Sequence, residues 1–472
     1  MLHAQARSLT ATAAAAGSGP VAKAGQGELP PPINIEHFVT ALNSRRQASP
    51  IRALMPLLQL PGMISLGGGL PNPALFPFKQ LSFSLTDGTN LSLSPAELNA
   101  ALQYSPTPGL PALLQQLREL QEREHQPPRP FGGEQGWSVS VATGSSDALY
   151  KAFDLLVEEG DNVLVEAPTY SGSLAALRPL KANLVEIGVD EYGMIPSKLE
   201  SMLATFSAVA GRAKPRVLYV IPTGQNPAGC TISLQRKKEI YALACKHNLI
   251  ILEDDPYYFL SYGRAAAPAV GSDSSWQRPS VPSFFSLDVE GRVLRFDSFS
   301  KILSSGLRLG MVSGPTGFVQ RIDLVSQATA LHTSGVSQAL VSKLLKHWGE
   351  KGWNEHIRQV CLFYARRRDA FIARIEKHLK GLVSYTVPEA GMFVYFKCHG
   401  IANTKPMVEV RGKEAKVLLV PGQAFSPNDV PSDCVRASFS TASDEEMDQA
   451  LERFAGMLRE EAKQQQQPKS KL

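Results

Sequence analysis

Apolar positions between residues 137 and 300 fall into short runs separated by amphipathic stretches, and the two kinds alternate. Trp137-Ser-Val-Ser-Val141 has the period of two of a strand; Ala148, Leu149, Ala152, Phe153 and Leu156 follow at helical spacing, up to Gly160. Further strands are read at 162–166, 216–221, 249–252 and 293–296, with a basic helix over about 234–246. Strand and helix in repetition predict an α/β fold whose central sheet is mostly parallel and covered by helices on both faces. Ligands bind such sheets at the carboxyl ends of the strands. Polar residues fall just past those ends: Ser145 and Ser146, Thr169 and Tyr170, Asn226, Asp254 and Asp255, and Ser298 to Lys301. They are expected to converge on one crevice.

After Thr333 the pattern changes. Long helices are read over 336–348 and 354–378, strands at 391–396, 417–420 and 435–439, and a last helix over 444–459, which predicts a second, smaller α+β domain. The length, 472 residues, suits two domains rather than one core. Apolar residues make up 43% and charged residues 19%, an ordinary globular composition that excludes whole-chain disorder or coiled coil. The formal charge of +5 has no dense basic block behind it, so no nucleic-acid partner is implied. The long uncharged stretch 53–78 carries five prolines (Pro56, Pro61, Pro71, Pro73, Pro77) and Gly67-Gly68-Gly69, which break a membrane-spanning helix. Five scattered cysteines form no metal-ligand spacing and fit a reducing compartment.

A lone lysine after a strand is usually a solvated charge. Lys301 differs because Ser298 and Ser300 precede it and Arg308 follows, so two hydroxyls and a guanidinium accompany one amine. Those groups suit a phosphate, and a placed, partly desolvated lysine suits attachment of a phosphate-bearing aldehyde cofactor. Ser145 and Ser146 sit where a helix begins, a position that favours a dianion, although an ordinary serine cap has the same appearance. Asp254, at the floor of the expected crevice, can hold a pyridine nitrogen protonated. Tyr257 and Asn226 can reach a ring oxygen, and Tyr170 can stack on the ring; turn and core roles are the plainer alternatives for all three.

Asn226-Pro-Ala-Gly229, Asp254-Asp-Pro-Tyr257, Ser298-Phe-Ser-Lys301 and Gly306-Leu-Arg-Leu-Gly310, in this order, resemble the fold-type I aminotransferases that use pyridoxal 5'-phosphate. Ser49-Pro-Ile-Arg52, Ile64-Ser-Leu-Gly-Gly-Gly-Leu-Pro-Asn-Pro73 and Gln103-Tyr104-Ser105 are similar to the kynurenine/2-aminoadipate aminotransferases and the fungal aromatic aminotransferases within that family. The resemblance covers about Ile33 to Leu458. It implies that Lys301 links to the cofactor and later moves the substrate proton, Asp254 pairs with the ring nitrogen, Tyr257 and Asn226 bind the ring oxygen, and Tyr170 stacks. Ser145, Ser146, Ser298, Ser300 and Arg308 would hold the phosphate, and Tyr104 would reach the phosphate of a neighbouring subunit in a homodimer. Arg436 would clamp the substrate carboxylate, joined by Asn226, and Arg52 and Gly69 would meet the substrate side chain. The relatives often carry glutamines after the phosphate-loop serine; here stand Ser146 and Asp147, and a carboxylate in that turn opposes a dianion unless it points away.

The implied division is an N-terminal extension without structure over 1–32, an arm over 33–75 serving the small domain and active site, a large cofactor domain over 76–332, a small domain over 333–460, and a tail over 461–472. The implied reaction is ping-pong transfer of an amino group from an aromatic, kynurenine-like or 2-aminoadipate-like amino acid to 2-oxoglutarate. The scaffold also admits a lyase or synthase, or a ligand-sensing regulator. Residues 1–27 hold no acidic residue and fit a transit peptide or a plain extension. Ser470-Lys471-Leu472 matches the address read by the peroxisomal import receptor, which favours the peroxisome over mitochondrion or cytoplasm.

Overall fold

The computed structural model of the chain describes residues 29–53, 60–64, 66–67, 69–209, 213–272 and 275–466. The N-terminal 1–28, Ser65 and Gly68 of the glycine-rich motif, and the terminal Ser470-Lys471-Leu472 lie outside those residues, as does the side chain of Arg52.

A small hairpin of β1 (Ser82–Ser84) and β2 (Asn90–Ser92) precedes the main sheet. That sheet is built from β3 (Trp137–Ala142), β4 (Asn162–Ala167), β5 (Asn183–Asp190), β6 (Gly193–Met194), β7 (Val217–Val220), β8 (Ile250–Asp254), β9 (Val293–Ser298) and β10 (Gly310–Pro315). Their order is β3-β10-β9-β8-β7-β4-β5-β6. The run from β5 through β4, β7 and β8 to β9 is parallel, while β10 is antiparallel to both neighbours and β6 to β5. The predicted strands are present at or near their expected bounds. β10 escaped the apolar pattern because glycine, serine and proline fill it; a Cβ on its Gly314 would come within 2.7 Å of Leu294.

Both faces of the sheet are apolar and covered, which is why β8 is buried from end to end. Leu252, Leu294, Phe296 and Val165 pack on one side with Ala148, Ala152 and Phe153 of the helix Ser145–Leu156. Leu218, Val220, Ile251 and Val293 pack on the other. From β4 the chain steps one way to β5, and after β7 it steps the other way to β8 and β9. The strand order therefore reverses between β4 and β7, and the crevice opens outside the carboxyl ends there.

The second sheet joins β11 (Val383–Tyr385), β12 (Phe393–Cys398), β13 (Val420–Pro421) and β14 (Cys434–Ser438), all antiparallel, in the order β11-β12-β14-β13. The strand expected over 417–420 begins only at Val420. The two helices expected over 336–348 and 354–378 are present within Gly335–His378, and they meet at Gly349, whose backbone is non-helical (φ 56°, ψ −165°).

Two boundaries differ from expectation. The last helix continues to Gln466, so 461–466 are helical rather than an unstructured tail. Glu460, Glu461, Ala462, Lys463 and the glutamines after them are good helix formers, and Arg411 Nε donates to Glu461 Oε2 at 2.9 Å. At the other end, the order begins before Ile33: Arg129 donates to the Pro30 carbonyl, and Ile33 N donates to Glu290 O at 3.0 Å. The start of the arm packs on the large domain rather than the small one. Phe38 and Val39 are buried against Phe153 and Phe318, and Thr40 N donates to Leu155 O at 2.9 Å. Among the described residues no helix is long and apolar enough to cross a membrane.

Candidate active site

A cavity of about 400 Å³ opens at the carboxyl ends of β3, β4, β7, β8 and β9, and β12 and β14 of the second sheet close it. Ser145, Ser146, Tyr170, Asn226, Asp254, Tyr257, Ser298, Ser300, Lys301, Arg308 and Arg436 all line it. The residues past the strand ends converge as expected, because the parallel register sends each loop out at the same edge of the sheet.

One wall collects anion-binding groups. Gly144, at φ 83°, precedes the helix Ser145–Leu156, and no side chain caps that helix, so its first amides remain open toward the cavity. Arg308 lies against Gly144, where a Cβ would stand 2.5 Å from the guanidinium. The guanidinium bonds only neutral oxygens: Nη1 donates to Ser305 O at 3.0 Å and Ser300 Oγ at 3.4 Å. Ser298 Oγ accepts from Ser300 N at 3.2 Å, which leaves its own proton free to donate. Open helix amides, four hydroxyls and a cation without a carboxylate partner fit a phosphate dianion. Asp147 does not oppose it: Oδ2 accepts from Lys151 Nζ at 2.7 Å and Thr143 N at 3.1 Å, so the carboxylate turns back into its own helix.

The floor carries Asp254. Its Oδ2 accepts from Tyr219 Oη at 2.7 Å, whereas Oδ1 is buried with no partner. Burial pushes this carboxyl up to about 7; the Tyr219 hydrogen bond opposes the rise, Asp255 and Asp297 add to it, and Arg295 lowers it. An orphaned oxygen on a carboxylate that lines a cavity is the kind of acceptor that a protonated ring nitrogen requires. Above the floor, Lys301 carries an amine that no carboxylate holds, and burial followed by the charges of Arg308 and Arg436 lowers its proton affinity. A lysine so placed holds its proton less tightly than a solvated one, which suits a nucleophile and base.

Arg436 projects from β14. Its Nη1 donates to Asn226 Oδ1 at 2.9 Å, and its Cζ lies 4.1 Å from the Phe393 ring centre and 4.9 Å from that of Phe425. Two aromatic faces thus hold the guanidinium with its remaining donors free. Tyr257 is buried, and burial raises its hydroxyl above the ordinary range, so it stays protonated as a donor. The Tyr170 ring occupies the space over Gly172, where a Cβ would stand 2.5 Å from the ring.

Two expected residues do not join this cavity. Tyr104 is 49% exposed and packs edge-on to His332, 6.1 Å between ring centres, and Gly69 is exposed, with no described atom within 4 Å of where a Cβ would stand. Arg52 belongs to the short helix Pro50–Ala53, and its side chain lies outside the described residues. Sequence reasoning missed Phe393, Phe425, Ser305 and Tyr219. Only Tyr219 left a trace, a hydroxyl inside the buried run Val217-Leu-Tyr-Val220. Among the described residues no cluster of His, Cys, Asp and Glu could hold a metal.

The fold and this cavity define an enzyme of the pyridoxal-phosphate class. Residues 94–454 match the family model of aminotransferase class I and II, so the chain belongs to that family and is a pyridoxal-phosphate-dependent aminotransferase. It is 39% identical over 437 residues to the mitochondrial kynurenine/α-aminoadipate aminotransferase of Mus musculus, covering 91% of this chain and 100% of that one. It superposes on the aromatic aminotransferase Aro9 from Candida albicans with a TM-score of 0.80 at 28% identity, covering 91% and 98% of the chains. The α-aminoadipate aminotransferase LysN from Thermus thermophilus, solved with N-(5'-phosphopyridoxyl)-L-leucine, matches with a TM-score of 0.66 at 28% identity, covering 92% and 100%.

Proposed function

We propose that the enzyme moves an amino group from an aromatic, kynurenine-like or 2-aminoadipate-like amino acid to 2-oxoglutarate, both substrates using the cavity in turn. The observation that carries this reading is the pairing, in one cavity, of Asp254 Oδ1 without a partner and the Lys301 amine without a carboxylate. The names of the mouse and fungal relatives support the substrate class.

The bound cofactor supplies an electron sink for the pair left when the substrate Cα loses its proton. The geometry of the cavity supports the following roles for this chain's residues. Ser145, Ser146, Ser298, Ser300 and Arg308 bind the phosphate. Asp254 would keep the ring nitrogen protonated, Asn226 and Tyr257 would donate to the ring oxygen, and Tyr170 would stack on the ring. Lys301 Nζ would anchor the cofactor and, when free, would take and return the proton at the substrate Cα. Arg436 receives the α-carboxylate that amino and oxo acids share, and so serves both half-reactions. Gly69 and Arg52 belong to the arm that meets the substrate side chain.

Tyr104, exposed and outside its own chain's cavity, serves the phosphate site of a second copy, so the working unit is a homodimer; sedimentation of the holoenzyme tests this. A panel of amino donors, each with 2-oxoglutarate, tests the substrate class. Turnover of kynurenine, 2-aminoadipate or an aromatic amino acid supports the reading, and a preference for small aliphatic donors overturns it.

A further inference from the structure

Behind the cavity floor a short polar chain crosses an otherwise apolar layer. Tyr219, on β7, has no exposed surface; its ring packs edge-on against Phe153, 5.6 Å between centres, inside the apolar cluster under the helix Ser145–Leu156. Its register beside Leu252 on β8 directs it to the same face of the sheet as Asp254, two residues further along. There Ser173 Oγ donates to Tyr219 Oη at 2.8 Å, and Tyr219 Oη donates to Asp254 Oδ2 at 2.7 Å. The direction is forced, because a carboxylate can only accept and a phenol has one proton. Ser173 lies in the helix Ser171–Leu177, which starts directly after Tyr170, so the chain links the ring-covering residue's helix to the floor carboxylate.

A buried hydroxyl pair needs a reason in an apolar layer, since each unpaired polar atom there is costly. A packing role calls for the Tyr219 ring alone, and phenylalanine fills that space without a hydroxyl. What the hydroxyl adds is one occupied oxygen on Asp254. With Oδ2 held, the carboxylate cannot rotate, and Oδ1 is the only oxygen left to meet a ligand. The same bond stabilises the ionised carboxylate against burial and against Asp255 and Asp297 behind it.

We propose that Tyr219, oriented by Ser173, is a positioning residue that locks Asp254 with a single charged oxygen aimed at the cofactor ring. This rests on the reading of Asp254 as the partner of the ring nitrogen, and the experiment separates the two claims. Pyridoxal-phosphate dissociation constants of the apoenzyme, the visible absorbance of the bound cofactor, kcat and KM are measured for Tyr219→Phe, Ser173→Ala, Asp254→Asn and the double variant Tyr219→Phe/Asp254→Asn.

A hydrogen bond to a charged group is worth about ten- to a hundredfold, so Tyr219→Phe is expected to weaken cofactor binding and lower kcat by that order, with KM for the amino donor and Tm little changed. Ser173→Ala, which leaves the Tyr219–Asp254 bond in place, is expected to lose about two- to fivefold by the same reasoning. In the Asp254→Asn background the loss of the Tyr219 hydroxyl is expected to have no further effect, because the two act as one unit. Tyr219→Phe with parental affinity and kcat overturns the proposal, as does an effect that persists undiminished in the Asp254→Asn background. If Tyr219→Phe does not fold, Ser173→Ala decides: a parental cofactor affinity and spectrum overturn it. Asp254→Asn with parental cofactor affinity and spectrum instead overturns the underlying assignment of Asp254.

Discussion

Replacing Arg436 by lysine keeps the positive charge and removes the planar fork. In the parent, Nη1 is tied to Asn226 Oδ1 and the guanidinium is held between Phe393 and Phe425, so its orientation is set in advance of substrate binding. Lysine offers a single point of donation and cannot keep both the Asn226 contact and a two-point grip on a carboxylate. One charge-assisted hydrogen bond is worth about 1.5–3 kcal/mol, and the weakened aromatic contact about 0.5–1 kcal/mol. Together they amount to about 2–4 kcal/mol, or about thirty- to a thousandfold in kcat/KM. Since the α-carboxylate is common to amino donor and oxo acceptor, both half-reactions should slow by similar factors. Rapid mixing of the holoenzyme with donor alone, and of its aminated form with acceptor alone, measures each half by the cofactor's absorbance, while cofactor content stays at the parental level. A defect confined to one half-reaction, or a loss under about threefold in both, refutes the argument that one preorganised guanidinium receives both substrates.

Lys301→Ala is expected to abolish turnover and the absorbance of covalently held cofactor; retention of both places the anchor elsewhere. Gly144→Ala forces a side chain into a backbone conformation that only glycine adopts freely and presses a Cβ against Arg308, so cofactor affinity should fall about tenfold or more, by titration of the apoenzyme with pyridoxal phosphate. Glu166 is buried with one oxygen unpartnered, and burial raises its carboxyl from 4.5 to about 8. The folded chain therefore binds this proton more tightly than the unfolded chain, and apoenzyme stability is lost as pH rises from about 4.5 to about 8. Glu166→Gln lacks that loss, so its Tm should gain on the parent through this window and the gap should level off above it; a gap constant with pH refutes the assignment.

Much of the architecture was legible along the chain because it is written in local periods. A strand buried on both faces must be apolar throughout, and a helix over it must repeat its apolar face every three to four residues. Polar residues that interrupt this code at the ends of strands, such as Ser145, Asn226, Asp254 and Lys301, therefore mark the site in the sequence itself. Asp147 was ambiguous for the opposite reason: its type was visible but its direction was not, and only its bonds to Lys151 and Thr143 N show that it leaves the anion wall free. Local composition also misled at the chain's last helix, where glutamines read as a polar tail and Glu461 is paired to Arg411 instead. The aromatic clasp on Arg436 and the Ser173–Tyr219–Asp254 chain had no pattern to announce them. They join residues 43 and 11 positions apart (Phe393 to Arg436, Phe425 to Arg436) and 46 and 35 positions apart (Ser173 to Tyr219, Tyr219 to Asp254). Their partners are chosen by strand register and by which sheet closes the cavity, and those are properties of the whole packed chain rather than of any segment in it.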